Sequence, residues 1–411
     1  MVEWPENIQD SRGGMMLIGD WILVIVAALV GVPLLIIGSE AMASLLPSSR
    51  RSFTGERPSC VVLIPANNEE LGIAATIRNV REQLVERDRL LVVADNCTDG
   101  TANVARSEGA EVVERTDVEN RGKGFALDCG LKVLDAAPPA IVVVVDADCE
   151  LEPGALDALV RQAAATNRPA QGVYLIGTGT ENDPRRRLSA FAVLLKNKIR
   201  PLGLHRLGLP SLLTGTGMAF PWTVLRSAQL GTGNIVEDMK LSVDLALAGY
   251  PPRLCPEAEL SGASAPDRRS AIKQRTRWEH GHVQTLVRFA PRLISAGLIR
   301  VRPSLLGLGL ELSVPPLSLV CAGWLMLLTA CLIWWQILGG SWAPFALSIL
   351  PMSYAGCAVF AGWIKFGRKM LPLTSLLLAP MYILWKIPIY AKMLVARERN
   401  WDRTDRTPAK K

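Results

Sequence analysis

Three stretches of this 411-residue chain, 21–37, 317–338 and 344–364, contain no charged side chain. The second and third are long enough to cross a bilayer. The first, WILVIVAALVGVPLLII, becomes so with its flanks. Hydrocarbon offers no partner to backbone N–H and C=O groups, so each stretch predicts a helix bonded within itself. The residues between the first and second stretches are charged and mixed in pattern, as expected of a water-exposed domain held between membrane helices.

Flanking charges set the orientation. Glu3, Glu6 and Asp10 precede the first stretch, while Arg50, Arg51 and Arg57 follow it. The positive-inside rule then places the leader outside and the central domain in the cytoplasm. Arg397, Arg399, Arg403, Arg406, Lys410 and Lys411 put the tail on the same side of a multi-pass protein of the inner (cytoplasmic) membrane. An acidic leader and a long apolar stretch argue against a cleaved signal peptide. The expected organisation is an anchor over 1–49, a cytoplasmic domain over 50–302, membrane and interfacial helices over 303–395, and a basic tail over 396–411. Segments 305–315 and 371–394 read either as spans or as interfacial or re-entrant pieces; the latter holds Lys386, Lys392 and three prolines. The net charge of +7 sits largely beside the membrane segments, so no nucleic-acid partner is implied. Eight cysteines without a C-x-x-C pair predict reduced thiols, with neither disulfides nor zinc.

Within the domain, strand-like runs at 60–66, 89–96, 110–115 and 140–148 alternate with helical patterns at 69–86, 98–108 and from Gly122 onward. That alternation predicts an α/β domain with a mainly parallel sheet. The fourth run, IVVVVDADCE at 141–150, is apolar enough to be buried on both faces and ends in Asp146, Ala147 and Asp148. Residues i and i+2 of an extended chain face one side, so both carboxylates can address one site. Hard oxygen ligands at that spacing suit Mg²⁺ or Mn²⁺; the alternative is a strand end capped by solvated acids.

Other polar residues gather at strand ends. Pro65 falls at the end of the first strand, Asn67 and Glu69 follow it, and Asp95 ends the second, together a crevice suited to a nucleoside. Turn and cap chemistry explains Thr98, Asp99 and Gly100, but not Asp95. Gly122-Lys123-Gly124 opens a helix and reads either as a phosphate-binding turn or as a solvated one. The run 211–220, with Gly215, Thr216 and Gly217, predicts a glycine-rich strand that another backbone or a sugar approaches closely. Glu237 and Asp238 fall in the first turn of a predicted helix within 234–250, where a carboxylate either complements the helix dipole or acts as a general base. Gln274, Arg277 and Trp278 share one face of a helical stretch at 271–284, able to grip a diphosphate and cover a sugar ring. His280 and His282 face different ways, which argues against a metal site there.

In order, Asp95, Asp146-Ala147-Asp148, Glu237-Asp238 and Gln274-Arg275-Thr276-Arg277-Trp278 resemble the D, D-x-D, E-D, Q-x-x-R-W series of membrane-embedded family 2 glycosyltransferases. That group includes cellulose, hyaluronan and poly-N-acetylglucosamine synthases and bacterial exopolysaccharide enzymes. The resemblance covers roughly 59–288. It implies a GT-A fold and inverting, metal-dependent transfer from a nucleotide-diphosphate sugar, UDP-linked by expectation, to a membrane-associated glycan or polyprenyl-linked acceptor. It further implies that Asp95 contacts the nucleoside and that Asp146 and Asp148 hold diphosphate and metal, with Lys123 near the diphosphate. Asp238 is then the base beside Glu237. Gln274, Arg277 and Trp278 bind pyrophosphate and line the acceptor entrance, near the loop of Gly215, Thr216 and Gly217. Membrane lipids and other polysaccharide export proteins are the further partners expected. Only three firm spans are visible, fewer than a polymer channel usually has. A catalytically silent nucleotide-sugar-binding subunit is the alternative, yet such a subunit is expected to lose Asp238 or the D-x-D, and both are present.

Overall fold

A computed structural model describes residues 6–47, 55–177, 183–231, 236–262, 268–384, 386 and 390. The long helix α1 (Glu6–Ala43) precedes β1 (Cys60–Ala66), α2 (Ile73–Arg81), β2 (Arg89–Asp95), α3 (Thr101–Ser107), β3 (Glu111–Arg115), α4 (Lys123–Leu134) and β4 (Ile141–Val144). Next come β5 (Cys149–Leu151), α5 (Ala155–Thr166), β6 (Ala170–Ile176) and α6 (Pro184–Leu194), which runs through a π-helical turn (Leu195–Ile199) into α7 (Arg200–Arg206). β7 (Met218–Pro221), α8 (Trp222–Arg226), α9 (Glu237–Leu247), β8 (Arg253–Gly262) and α10 (Arg268–Ile299) complete the domain. α11 (Pro303–Leu312), α12 (Leu317–Gln336), α13 (Ala343–Gly362) and α14 (Leu373–Leu376) follow, with a second π-helical turn at Trp363–Gly367.

The eight strands form one sheet in the order β3-β2-β1-β4-β7-β6-β8-β5. β3, β2, β1 and β4 are mutually parallel, whereas β7 runs antiparallel to both β4 and β6. Unbroken β-branched runs suit this centre because both faces are covered. Val62, Ile64, Val92 and Val143 pack against Ile73 and Ile77 of α2 and Leu156 and Leu159 of α5. Their neighbours Val61, Leu63, Val142 and Val144 pack on the other face against Leu127 and Leu131 of α4 and Leu241 and Leu245 of α9. Alternate residues of one strand thus feed two cores.

Several expected boundaries move. The helix expected at 69–86 begins at Ile73, because Asn68 takes a left-handed φ of 53° that breaks the regular chain. That expected at 98–108 begins at Thr101. The strand expected at 140–148 stops at Val144, so Asp146 and Asp148 lie on a turn rather than on extended chain. Of 211–220, only residues from Met218 onward are strand, since Gly215 and Gly217 have φ of 90° and 64°.

Among the described residues, three helices are long and apolar enough to cross a membrane: Met16–Ala43, Leu317–Gln336 and Ala343–Gly367. α11 is too short to span and is instead sealed to the domain, its Leu305, Leu308 and Leu312 packing on Leu293 of α10 and Val243 of α9. Most of 385–395 and the whole tail lie outside the described residues. The first membrane helix touches the domain closely: a Cβ on Gly203 of α7 would stand 1.9 Å from the Glu40 carbonyl of α1, so only glycine allows that crossing. All eight cysteines are free thiols.

Candidate active site

One cavity of about 260 Å³ opens at the C-terminal ends of β1, β2 and β4, where an open α/β sheet leaves room for a ligand. Pro65, Asn67, Glu69 and Asp95 line one end. Asn67 is committed to the scaffold, its Nδ2 donating to the Asp95 carbonyl at 2.6 Å and tying β1 to β2. Asp95 is buried, and Arg115 donates to its Oδ1 at 2.6 Å. Asn96 donates to the same oxygen, which leaves Oδ2 with no protein partner among the described residues. Burial raises the Asp95 carboxyl above its usual range even against that guanidinium. Arg115 stands opposite Asp95 in the β2–β3 register and lies 5.7 Å over the Phe125 ring. No motif drew attention to it; its place at the end of a strand beside Asp95's was the available signal.

Asp146, Ala147 and Asp148 line the middle. Oxygens of Asp146 and Asp148 and the Cys149 sulfur all lie within 4.8 Å of one another. Burial and the two adjacent carboxylates push the Cys149 thiol well above its ordinary range, so it stays protonated and turns toward Asp148 Oδ1 at 3.9 Å. The donors left are hard carboxylate oxygens, a set that fits Mg²⁺ or Mn²⁺ and not a thiophilic metal. The turn, rather than strand alternation, brings the two acids together. Thr216 shapes that turn from behind: the Asp146 N–H donates to its Oγ1 at 3.0 Å.

Lys123 opens α4 and ion-pairs with Asp146, and its Nζ also donates to the Gly215 carbonyl at 2.6 Å. Burial works against its charge, but Asp146 and Glu237 outweigh it and hold the ammonium above its ordinary range. Gly215 takes a φ of 90° that favours glycine, and a Cβ there would touch Asp238 Oδ2 at 3.4 Å and Lys123 Nζ at 3.7 Å. Gly215 lines the cavity; Thr216 and Gly217 do not. Thr216 is fully buried, and Leu260 fills the space where a Gly217 side chain would stand. These two expected ligand contacts therefore act as scaffold.

Glu237 and Asp238 begin α9, and both line the cavity. Asp238 Oδ1 accepts from the Met239 N–H at 2.8 Å. Burial raises the Asp238 carboxyl, opposed chiefly by the charge of Lys196. Glu237 is pushed up to about 7, by burial first and then by Asp238. Gln274, Arg277 and Trp278 enter from the first turns of α10. The adjacent face of α10 is anchored to the segment after α14: Arg275 donates to the Tyr382 hydroxyl at 2.6 Å, and Glu279 ion-pairs with Lys386.

The wall beyond Asp238 was not foreseen. Lys196, Asn197 and Arg200 come from the π-helical turn and α7, His282 from α10 and Glu311 from α11. Arg200 ion-pairs with Glu40 of the first membrane helix. A lone acid within the apolar run LGLGLEL was the readable signal for Glu311. Spacing had already set His282 aside as a metal ligand and pointed to no other role for it.

A family model described as glycosyltransferase-like family 2 matches residues 58–281, over half of the chain. An uncharacterized glycosyltransferase of Mycobacterium bovis is 37% identical over 121 residues, which is 28% of this chain and 50% of that protein. The 4,4'-diaponeurosporenoate glycosyltransferase of Staphylococcus aureus is 37% identical over 106 residues, 25% of this chain and 28% of its own. The chain thus spans half or less of the length of these curated relatives. Among solved structures, a mannosyltransferase from Pyrobaculum calidifontis in complex with GDP-Man and Mn²⁺ is similar in fold. Its TM-score is 0.54 at 20% identity, covering 89% of this chain and 99% of that one.

Proposed function

The chain belongs to glycosyltransferase-like family 2 and carries its GT-A fold, and from that premise we propose that it transfers a sugar from a nucleotide-diphosphate donor to a membrane-associated acceptor. The observation that carries this reading is convergence: four separated stretches bring Asp95, Asp148, Asp238 and Arg277 to one cavity. Nucleoside at the Asp95 end, diphosphate beside Lys123, Arg277 and a cation held by Asp148, and sugar toward Asp238 is the placement that sets opposite charges together.

Asp146 and Asp148 would hold the divalent cation, Mg²⁺ or Mn²⁺, which when bound offsets the negative charge of the diphosphate. Lys123 and Arg277 add cationic charge on the protein's own account, as a leaving diphosphate requires. Asp238 takes the proton from the attacking hydroxyl. In-line attack from the side opposite the diphosphate inverts the anomeric centre. Glu237, facing the same cavity, shares the local charge and positions rather than accepts. Trp278 offers an apolar face to a sugar ring, while Pro65, Asn67 and Glu69 shape the nucleoside pocket.

The same reading takes 50–302 as the catalytic domain on the cytoplasmic side of the inner membrane, 1–49 as its anchor, and 303–395 as membrane and interfacial helices. Its acceptor is a glycan or lipid-linked molecule of cell-surface polysaccharide synthesis, alongside other export proteins. The test is nucleotide release by the purified chain in lipid, supplied with UDP-, GDP- and TDP-sugars. Release from one donor, abolished by chelation or by Asp148→Ala and restored to the parental chain by Mn²⁺, is expected. Equal release after chelation would remove the metal assignment, and no release from any donor would remove the enzymatic reading.

A further inference from the structure

Beside Asp238 the cavity is lined by five residues that belong to none of the motifs, Lys196, Asn197, Arg200, His282 and Glu311, which together make its inner lobe. Lys196 and Asn197 present themselves there from a π-helical turn. Such turns gather at functional sites, because the extra residue swings side chains off the regular helix face.

Three residues lining the cavity carry a polar, buried atom unpartnered among the described residues: the acceptors Asn197 Oδ1 and His282 Nε2, and the Thr214 hydroxyl, which can donate or accept. Asn197 and His282 are only 8% and 7% exposed. Asn197 Nδ2 donates to the Tyr174 carbonyl at 3.0 Å, which fixes the amide and leaves its oxygen, an acceptor, unused. The His282 ring is hydrogen-bonded to the backbone of Leu312. Burial, helped by Lys196 and Arg200, pushes the ring well below its ordinary range. It is therefore neutral, and Nε2 carries a lone pair. A buried acceptor left unpaired costs about 1–3 kcal/mol, so a ligand bearing hydrogen-bond donors is favoured.

The remaining charges nearly balance. Arg200 is paired with Glu40. Glu311, pushed up to about 8 by burial and then by Glu40, is largely protonated at neutral pH. Lys196 is exposed to the cavity, makes no ion pair among the described residues, and has Asp238 as its principal opposite charge. A phosphate group near neutral pH presents almost only lone pairs, so it would face two acceptors and the Asp238 carboxylate. A sugar offers hydroxyl protons to Asn197 and His282 and oxygens to Lys196.

We infer that this inner lobe is the acceptor subsite, and that it receives a neutral polyhydroxylated group, the terminal sugar of a glycan or glycolipid, rather than a polyprenyl phosphate. The inference rests on the glycosyltransferase reading and narrows its acceptor. The acceptor hydroxyl oxygen bonds to the donor's anomeric carbon and its proton passes to Asp238. The anomeric carbon–oxygen bond breaks, its electron pair leaving on the nucleotide diphosphate.

The experiment offers the full chain in lipid nanodiscs its donor together with either a glycosylated diacylglycerol or a polyprenyl phosphate. Transfer to the glycolipid, with none to the polyprenyl phosphate, is expected. Asn197→Leu and His282→Phe should each raise the acceptor KM about tenfold, the loss of one hydrogen bond. Their affinity for the nucleotide diphosphate, read by calorimetry, should hold. Transfer to the polyprenyl phosphate alone, nucleotide release with transfer to neither lipid, or an unchanged acceptor KM in both variants would each overturn the inference while leaving the enzyme standing. No nucleotide release from any donor would instead remove the reading beneath it. The acceptor comparison uses the parental chain, so it decides even if a variant fails to fold.

Discussion

At the residue scale the two acids of α9 divide sharply in what substitution should do. Asp238→Asn retains the oxygen that accepts from the Met239 N–H but cannot take a proton. Transfer should fall by about 10²–10⁴, with donor affinity little changed, as single-turnover kinetics and nucleotide titration would show. Parental rates in that variant would leave Asp238 as no more than a helix-end acid. Glu237 makes a pH-dependent prediction. Its carboxyl is raised from 4.5 to about 7, so its contribution to stability is fully present below 4.5 and lost as pH rises through 7. The donor-free and metal-free protein should therefore melt lower at pH 8 than at pH 6. Glu237→Gln, with no proton to lose, should flatten that slope, and identical slopes would place the ionisation elsewhere. The sequence marked both acids without showing that they face one site. Helical spacing separates neighbours by 100°, and it cannot show that a cavity wraps around the helix end and meets both.

At the element scale the first half of the sheet was legible and the second was not. β1, β2 and β4 announce themselves because burial on both faces demands unbroken apolar runs, whereas β3, EVVER at the sheet edge, shows through the alternation of strands with helices. β5 to β8 are short, antiparallel or bulged, and their partners lie far away in sequence: β6 meets β8 across a register shift between Gly172 and Val173. The π-helical turn left no readable mark either, so Lys196 and Asn197 stayed unseen. α10 shows the opposite case. Its Gln274, Arg277 and Trp278 face was visible from spacing, while the anchoring of its neighbouring face needed tertiary structure. Lys386 and Glu279 are both largely buried. Lys386→Met leaves Glu279 an uncompensated charge and should cost about 3–5 kcal/mol, seen as a lowered midpoint in denaturant. Adding Glu279→Gln should recover much of that loss. Recovery would identify the pair, whereas an additive second loss would point to packing.

At the scale of the whole molecule, the proposed orientation rests on flanking charge, and labelling tests it. An impermeant maleimide applied to intact cells should modify Gln336→Cys, at the exposed far end of α12, and not Glu86→Cys in the domain. The reverse pattern would invert the topology. The contact of α1 with α7 carries a separate consequence. Glu40 of α1 holds the charge of Arg200 in the cavity wall, and Gly203 lets the two backbones touch. Such a helix is no detachable tether. Cutting it away to obtain a water-soluble fragment would strip a buried guanidinium of its counterion and unroof one side of the cavity, so the protein is divisible on paper at residue 49 but not in substance.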